Sequence, residues 1–140
     1  MVDEATALSW LTGQGFAEGD VRSVIDDEWF PMAWACADGE LGVCKWLHDN
    51  GAAADITKAN SNGSTPMWVA CQNGHLLVCK WLFEGGAAAD ITKANNNGTT
   101  PMYIACQQGQ LSVCKWLFEG GAAADITRAA NDGVTPIWVA

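Results

Sequence analysis

Residues 62–96 read NGSTPMWVACQNGHLLVCKWLFEGGAAADITKANN, and residues 97–131 read NGTTPMYIACQQGQLSVCKWLFEGGAAADITRAAN. Eight of the 35 positions differ: Ser64/Thr99, Trp68/Tyr103, Val69/Ile104, Asn73/Gln108, His75/Gln110, Leu77/Ser112, Lys93/Arg128 and Asn95/Ala130. Outward from this pair the spacing persists. Pro31, Pro66, Pro101 and Pro136 are 35 apart, as are Cys36, Cys71 and Cys106, then Cys44, Cys79 and Cys114, then Trp46, Trp81 and Trp116. A fixed period of roughly 20–50 residues decides the architecture before any local reading does, because each unit must bury its apolar face on its neighbours.

Within a unit, Thr65-Pro66, Thr100-Pro101 and Thr135-Pro136 place a hydroxyl at a helix N-cap and a proline at the first helical position, where its missing N–H is not needed. The helix predicted there runs through MWVACQN to Gly74. A second helix, HLLVCKWLFE, ends at Gly85-Gly86, a suitable left-handed cap. The AADITKANNNG that follows has β-branched Ile91-Thr92 and closes on Asn97-Gly98, a tight-turn dipeptide, so an extended finger is expected. The expected fold class is therefore an all-α repeat solenoid, a stack of helix-turn-helix units with extended β-turn fingers.

TPMWVACQNGHLLVCKWLFEGGAAADI resembles the ankyrin repeat, whose pattern is Thr-Pro-Leu-His-x-Ala, then Gly-His, then a Val/Leu-rich second helix ending in Gly-Ala. The resemblance covers residues 27–140. It departs from the family in two ways. The usual His is Ala33, Trp68, Tyr103 and Trp138, so the hydrogen bond that His makes near the turn is expected to be absent. The period is 35 residues against about 33 in the family, with the extra pair before the turn, so longer fingers are expected.

The ends differ from the middle. Residues 27–31 read DEWFP where NGSTP is expected, and Trp10-Leu11 stands 36 residues ahead of Trp46-Leu47. The reading divides the chain into an N-terminal helical cap (1–26), a degenerate first repeat (27–61), repeats at 62–96 and 97–131, and a truncated fourth (132–140). Terminal repeats are atypical because their outer face meets water. The partial fourth repeat makes the C-terminal end read as uncapped, with self-association through it as one expectation.

Composition bounds the function. The 140 residues are 49% apolar and 16% charged, with a net charge of −9, typical of a folded soluble chain. Residues 1–61 hold eleven acids and three bases, whereas 62–131 hold four of each, so the acidity belongs to the N-terminal end. Nucleic acid is excluded as a partner for lack of a basic stripe. No apolar run approaches a membrane span and no signal peptide is visible. An intracellular location is expected, cytoplasmic first, with a nuclear one left open.

The six cysteines invite a redox or metal reading. Zinc needs four ligands, typically from closely spaced pairs, and the two histidines, His48 and His75, occupy non-equivalent positions. Equivalent cysteines of successive units are expected about 10 Å apart, too far for a disulfide, so buried reduced thiols are expected. No recurring Cys/His/acid set, phosphate loop or carboxylate pair appears. No enzyme activity, cofactor or metal is expected.

Trp46, Trp81 and Trp116 are expected to pack as a ladder between units. For Trp68, Tyr103 and Trp138, on the first helix near the fingers, packing and binding remain equally open. The resemblance implies a non-enzymatic protein–protein interaction scaffold that holds a protein or peptide on its concave first-helix and finger surface. The alternative is a structural spacer or self-associating module. Specificity is expected mostly where units differ, which marks Ser64, Trp68, Asn73, His75, Asn95, Thr99, Tyr103, Gln108, Gln110 and Trp138 as the candidate binding residues.

Overall fold

The computed structural model describes residues 2–16, 21, 22 and 29–136. Its helices are α1 (Glu4–Gly13), α2 (Pro31–Asp38), α3 (Leu41–Leu47), α4 (Pro66–Gln72), α5 (Leu76–Leu82), α6 (Pro101–Gln107) and α7 (Leu111–Leu117). The starts of α4 and α6 are set by their threonines. Thr65 accepts the N–H of Trp68 at 3.2 Å, and Thr100 that of Tyr103 at 3.1 Å. Phe30 stands at the same place before α2 and offers no such bond.

Each second helix gives way to a wide turn, at His48–Ala52, Phe83–Ala87 and Phe118–Ala122. The turn reverses at a glycine such as Gly86, with φ 119°, a conformation that a Cβ disfavours. The stretch expected to be an extended finger does not begin extended. Ala53–Thr57, Ala88–Thr92 and Ala123–Thr127 form short 3-10 turns, and the backbone becomes extended only from Lys58, Lys93 and Arg128. Coiling here tucks Ile56 and Ile91 into the core, and that burial outweighs the β preference of Ile and Thr.

First helices α2, α4 and α6 pack side by side, second helices α3, α5 and α7 do likewise behind them, and α1 lies on α3. The seam between the two layers is filled by Met32, Met67, Met102, Leu47, Leu82 and Leu117, all fully buried. Truncating one of these leucines to alanine costs about 2–5 kcal/mol at such sites.

Two packing expectations need amendment. The second-helix tryptophans do not meet ring to ring: Trp81 stands edge-on to His48 at 5.8 Å and Trp116 to Phe83 at 5.7 Å. Each therefore meets the side chain two residues past the tryptophan of the preceding unit. The cysteines pair within units, Cys36 with Cys44 and Cys71 with Cys79 at 3.7 Å, and Cys106 with Cys114 at 3.5 Å between sulfurs. The first four are buried, but Cys106 and Cys114 are only half-buried, because they lie on a face of the third unit that no further described unit covers. Leu111, 80% exposed, and Phe118, 50% exposed, share that end of the molecule.

Candidate functional site

Three fingers project between successive units, closed by the bonds Asn60 N–H to Ser64 C=O (2.9 Å), Asn95 to Thr99 (3.0 Å) and Ala130 to Val134 (2.9 Å). In the first two, an asparagine carbonyl oxygen organises the turn. Asn60 Oδ1 accepts from Asn62 N and Ser64 N at 3.0 and 2.9 Å. Asn95 Oδ1 accepts from Asn97 N, Thr99 N and Thr99 Oγ1 at 3.0, 3.1 and 2.7 Å.

Neighbouring fingers are tied together. Asn96 N donates to Asn62 C=O, and Asn131 N to Asn97 C=O, each at 2.9 Å. The amide side chains of Asn96 and Asn131 add bonds of 3.0 Å to Ser61 C=O and Asn96 C=O. This close approach requires glycine at positions 63 and 98, where a Cβ would collide with Asn96 Oδ1 and Asn131 Oδ1. The finger row is thus preorganised, which lowers the ordering cost of binding.

Between the fingers and the first helices lie two hollows of about 350 and 410 Å³. The first is lined by Trp68 with Trp29, Asn60, Ser64 and Gln72, the second by Tyr103 with Asn95, Thr99 and Gln107, and Trp68, Asn95 and Asn97 are common to both. Corresponding lining residues are 35 apart, so one hollow repeats the other. Trp68 is 9% and Tyr103 6% exposed. The Trp68 indole Nε1 donates to Thr99 C=O at 3.0 Å, which ties the ring to the next finger despite the missing histidine.

Of the ten sequence-derived candidates, Ser64, Trp68, Asn95, Thr99 and Tyr103 therefore come together in this groove. Three others spend their polar groups elsewhere, on contacts between units. Asn73 Nδ2 reaches Ala37 C=O at 3.0 Å, His75 Nε2 bonds the same carbonyl at 2.9 Å, and Gln110 Nε2 donates to Gln72 C=O at 3.1 Å. Gln108 is exposed at the end of α6, and Trp138 lies outside the described residues. The search among positions that vary between residues 62–96 and 97–131 passed over Asn97, Gln72 and Gln107, which are identical there, and over Asn60, which lies in the degenerate first repeat outside that comparison.

A larger hollow, about 650 Å³, lies on the opposite layer between α3 and α5, beside Trp46, His48, Asp49 and Trp81. It does not recur, since Phe83 and Glu84 replace His48 and Asp49 one unit on. The thiols offer little chemistry: burial pushes Cys36 and Cys71 well above the usual thiol range and Cys114 up to about 12. These three thiols are protonated at neutral pH, whereas nucleophiles and metal ligands are thiolates. Among the described residues no three His, Cys, Asp or Glu side chains gather as a metal site, and no helix is long and apolar enough to cross a membrane.

A family model described as ankyrin repeats in three copies matches residues 3–93, and one described as ankyrin repeat matches residues 97–131. No curated protein matches the chain. Together with the recurring helix pairs and fingers, these matches show that the chain belongs to the ankyrin-repeat family, whose repeats are generally protein–protein interaction modules and whose members are typically non-enzymatic scaffolds.

Proposed function

We propose that this chain holds a protein or peptide partner in the groove between its fingers and first helices, using Ser64, Trp68, Asn95, Thr99 and Tyr103 with Asn60, Gln72 and Gln107. The observation that carries the reading is the pair of matching hollows behind a row of fingers bonded to one another. A rigid, repeated surface with Asp132 as its one charged lining residue suits an extended partner. The six unlinked thiols, paired at 3.5–3.7 Å, favour a reducing intracellular compartment, because an oxidising one would couple neighbouring thiols.

Photo-reactive residues at Gln72 and Gln107, compared with the same probe at exposed Lys45 and Lys80 on the second helices, test this directly. Cross-links to one partner from the two glutamine positions alone are the expected result. Cross-links only from the lysine positions would move the partner to the other layer and overturn the reading.

A second reading, self-association, rests on the apolar hollow of about 300 Å³ formed by Met102, Leu111, Phe118 and Ile126 on the end face. An exposed apolar face seeks a cover, and a second copy is the occupant proposed here. Sedimentation showing a dimer that Leu111→Glu dissolves would support it, and a monomer at high concentration would end it.

A further inference from the structure

We infer that the groove takes a chain segment in polyproline II conformation and bonds two of its backbone carbonyls, three residues apart, through one donor from each of two successive fingers. This rests on the groove reading above and narrows it to one conformation and one polarity.

The polarity comes from Asn60 and Asn95. Their Oδ1 atoms are committed to the finger turns, by two and three hydrogen bonds respectively. Flipping either amide would set Nδ2 against backbone N–H groups, so Nδ2 must take the other side. Neither Nδ2 has an acceptor among the described residues, and both asparagines line the hollows. The groove therefore repeats a fixed donor every 35 residues, and what a donor row lacks is acceptors. No lysine or arginine lines either hollow, and Asp132 is the one charged lining residue. An acidic ligand is disfavoured, and backbone carbonyls are the acceptors that fit.

The conformation follows from spacing. Packed helices stand about 8–10 Å apart, and one finger follows each helix pair, so the two donors recur at about that interval. A polyproline II helix turns once in three residues with a rise of about 3.1 Å each, so equivalent carbonyls recur about every 9 Å on one side. A β-strand cannot do this, because a three-residue step reverses the side on which its groups point. An α-helix has already committed its carbonyls internally. Proline residues in the segment carry no N–H that would have to find an acceptor beside these two donors, and their rings suit the aromatic floor of Trp68 and Tyr103. The donor row ends after two units, since Ala130 replaces the asparagine, and Asp132 at that end favours a basic flank on the ligand.

The probe is a capped twelve-residue peptide, (Pro-Pro-Ala)4, titrated against the isotope-labelled chain while the side-chain amide resonances are followed. A Gly-Ser peptide of equal length and an Ala/Lys/Glu helical peptide serve as comparators. Binding of the proline peptide alone is expected, with the largest shifts at the Asn60 and Asn95 amides. Asn60→Asp and Asn95→Asp keep the oxygen that holds each turn and replace the donor by an acceptor, so each is expected to weaken binding by about tenfold or more, with the backbone spectrum of each variant checking the fold.

Unchanged affinity in both variants, shifts confined to other residues of the unsubstituted chain, or stronger binding of a comparator would overturn the inference. If no peptide binds but the cross-links from Gln72 and Gln107 persist, the conformation assigned here is wrong and the groove reading survives. If those cross-links fail too, both fall.

Discussion

The first unit and the two that follow share a backbone path but hold it with different side chains. In the second and third, Thr65 and Thr100 cap the first helix, and Asp90 and Asp125 each keep a buried Oδ2 with no hydrogen-bond partner. In the first, Phe30 offers no cap, yet the equivalent Asp55, 0% exposed, is gripped by Arg22. Arg22 Nη2 reaches Asp55 Oδ1 at 2.7 Å, and Nε lies 3.2 Å from both oxygens. Arg22 belongs to the N-terminal segment, so the pair fastens that segment to the array. The comparison teaches that the first unit, which lacks the threonine cap, holds its buried acid through an ionic clasp from the N-terminal segment instead. The second and third units kept the cap and leave one buried carboxylate oxygen of each acid without a hydrogen bond, although Arg128 Nη1 lies 3.7 Å from Asp125 Oδ1.

Arg22→Ala is the largest blow to this contrast, because it makes Asp55 as partnerless as Asp90 while leaving it the most buried of the three. An uncompensated buried charge is strongly destabilising, so the denaturant midpoint should fall further than for the substitutions that follow. Hydrogen exchange should rise first in α1 and α3. A midpoint equal to that of the unsubstituted chain would mean that the carboxylate finds water in place of the arginine.

Removing the buried acids of the second and third units works the other way. Burial pushes the Asp90 and Asp125 carboxyls above the usual range, opposed by Lys93 and Arg128 respectively. A carboxyl raised in the folded chain holds its proton more tightly there than in the unfolded one. Its stabilising contribution is full below the ordinary value of about 3.9 and is lost as pH climbs through the raised one. Asp90→Asn combined with Asp125→Asn should therefore gain little near pH 4 and on the order of 1 kcal/mol at pH 7. Urea midpoints of both chains across that range would show it, and a gain independent of pH would assign the effect to something other than ionisation.

The sequence exposed the helices of both interior units because each begins with Thr-Pro and stops near glycine, two local signals that need no tertiary information. It misled at Ala88–Thr92, where β-branched Ile91 and Thr92 suggest an extended segment and burial of Ile91 imposes a tight coil. The groove was half legible. Trp68 and Tyr103 declared themselves by size and position, but choosing sites by variation between units admitted Asn73, His75 and Gln110, which staple neighbouring units. It also hid Gln72 and Gln107, which are identical in the two units compared, and Asn60, which lies outside those two units. The signal for Asn60 was available in the Asn-x-Asn-Gly turn, where a leading asparagine commonly binds the backbone two residues on. The use of Nδ2 could not be read, since it depends on a hollow made by two units.

The caps give a smaller and cleaner test. Thr100→Ala removes the acceptor for Tyr103 N–H and should cost about 1 kcal/mol. Phe30→Ala has no cap to lose, so its cost should come from lost packing alone. A neutral Thr100→Ala would show that the proline, and not the threonine, fixes the start of α6.

The smallest expected effect comes from giving an interior unit the clasp of the first. Val21, Ile56 and Ile91 lie within 3.7–3.8 Å of a Cβ placed at Gly51, Gly86 and Gly121 respectively, so the three take equivalent places one unit apart. The residue after each is Arg22, Thr57 and Thr92. By that register Thr57 stands towards Asp90 as Arg22 stands towards Asp55, with a side chain too short to reach. Thr57→Arg should let a guanidinium lie along the surface onto Asp90, as Arg22 does while its own side chain stays 53% exposed. Partial exposure limits the gain to about 0.2–1 kcal/mol. Because the chain carries a net charge of −9, any added arginine could stabilise it a little, so the substitution must be repeated on Asp90→Asn. A gain present with Asp90 and absent with asparagine isolates the pair. A gain of equal size in both backgrounds would show that the register does not bring residue 57 to Asp90, and that the Arg22 clasp cannot be transplanted to the interior of the array.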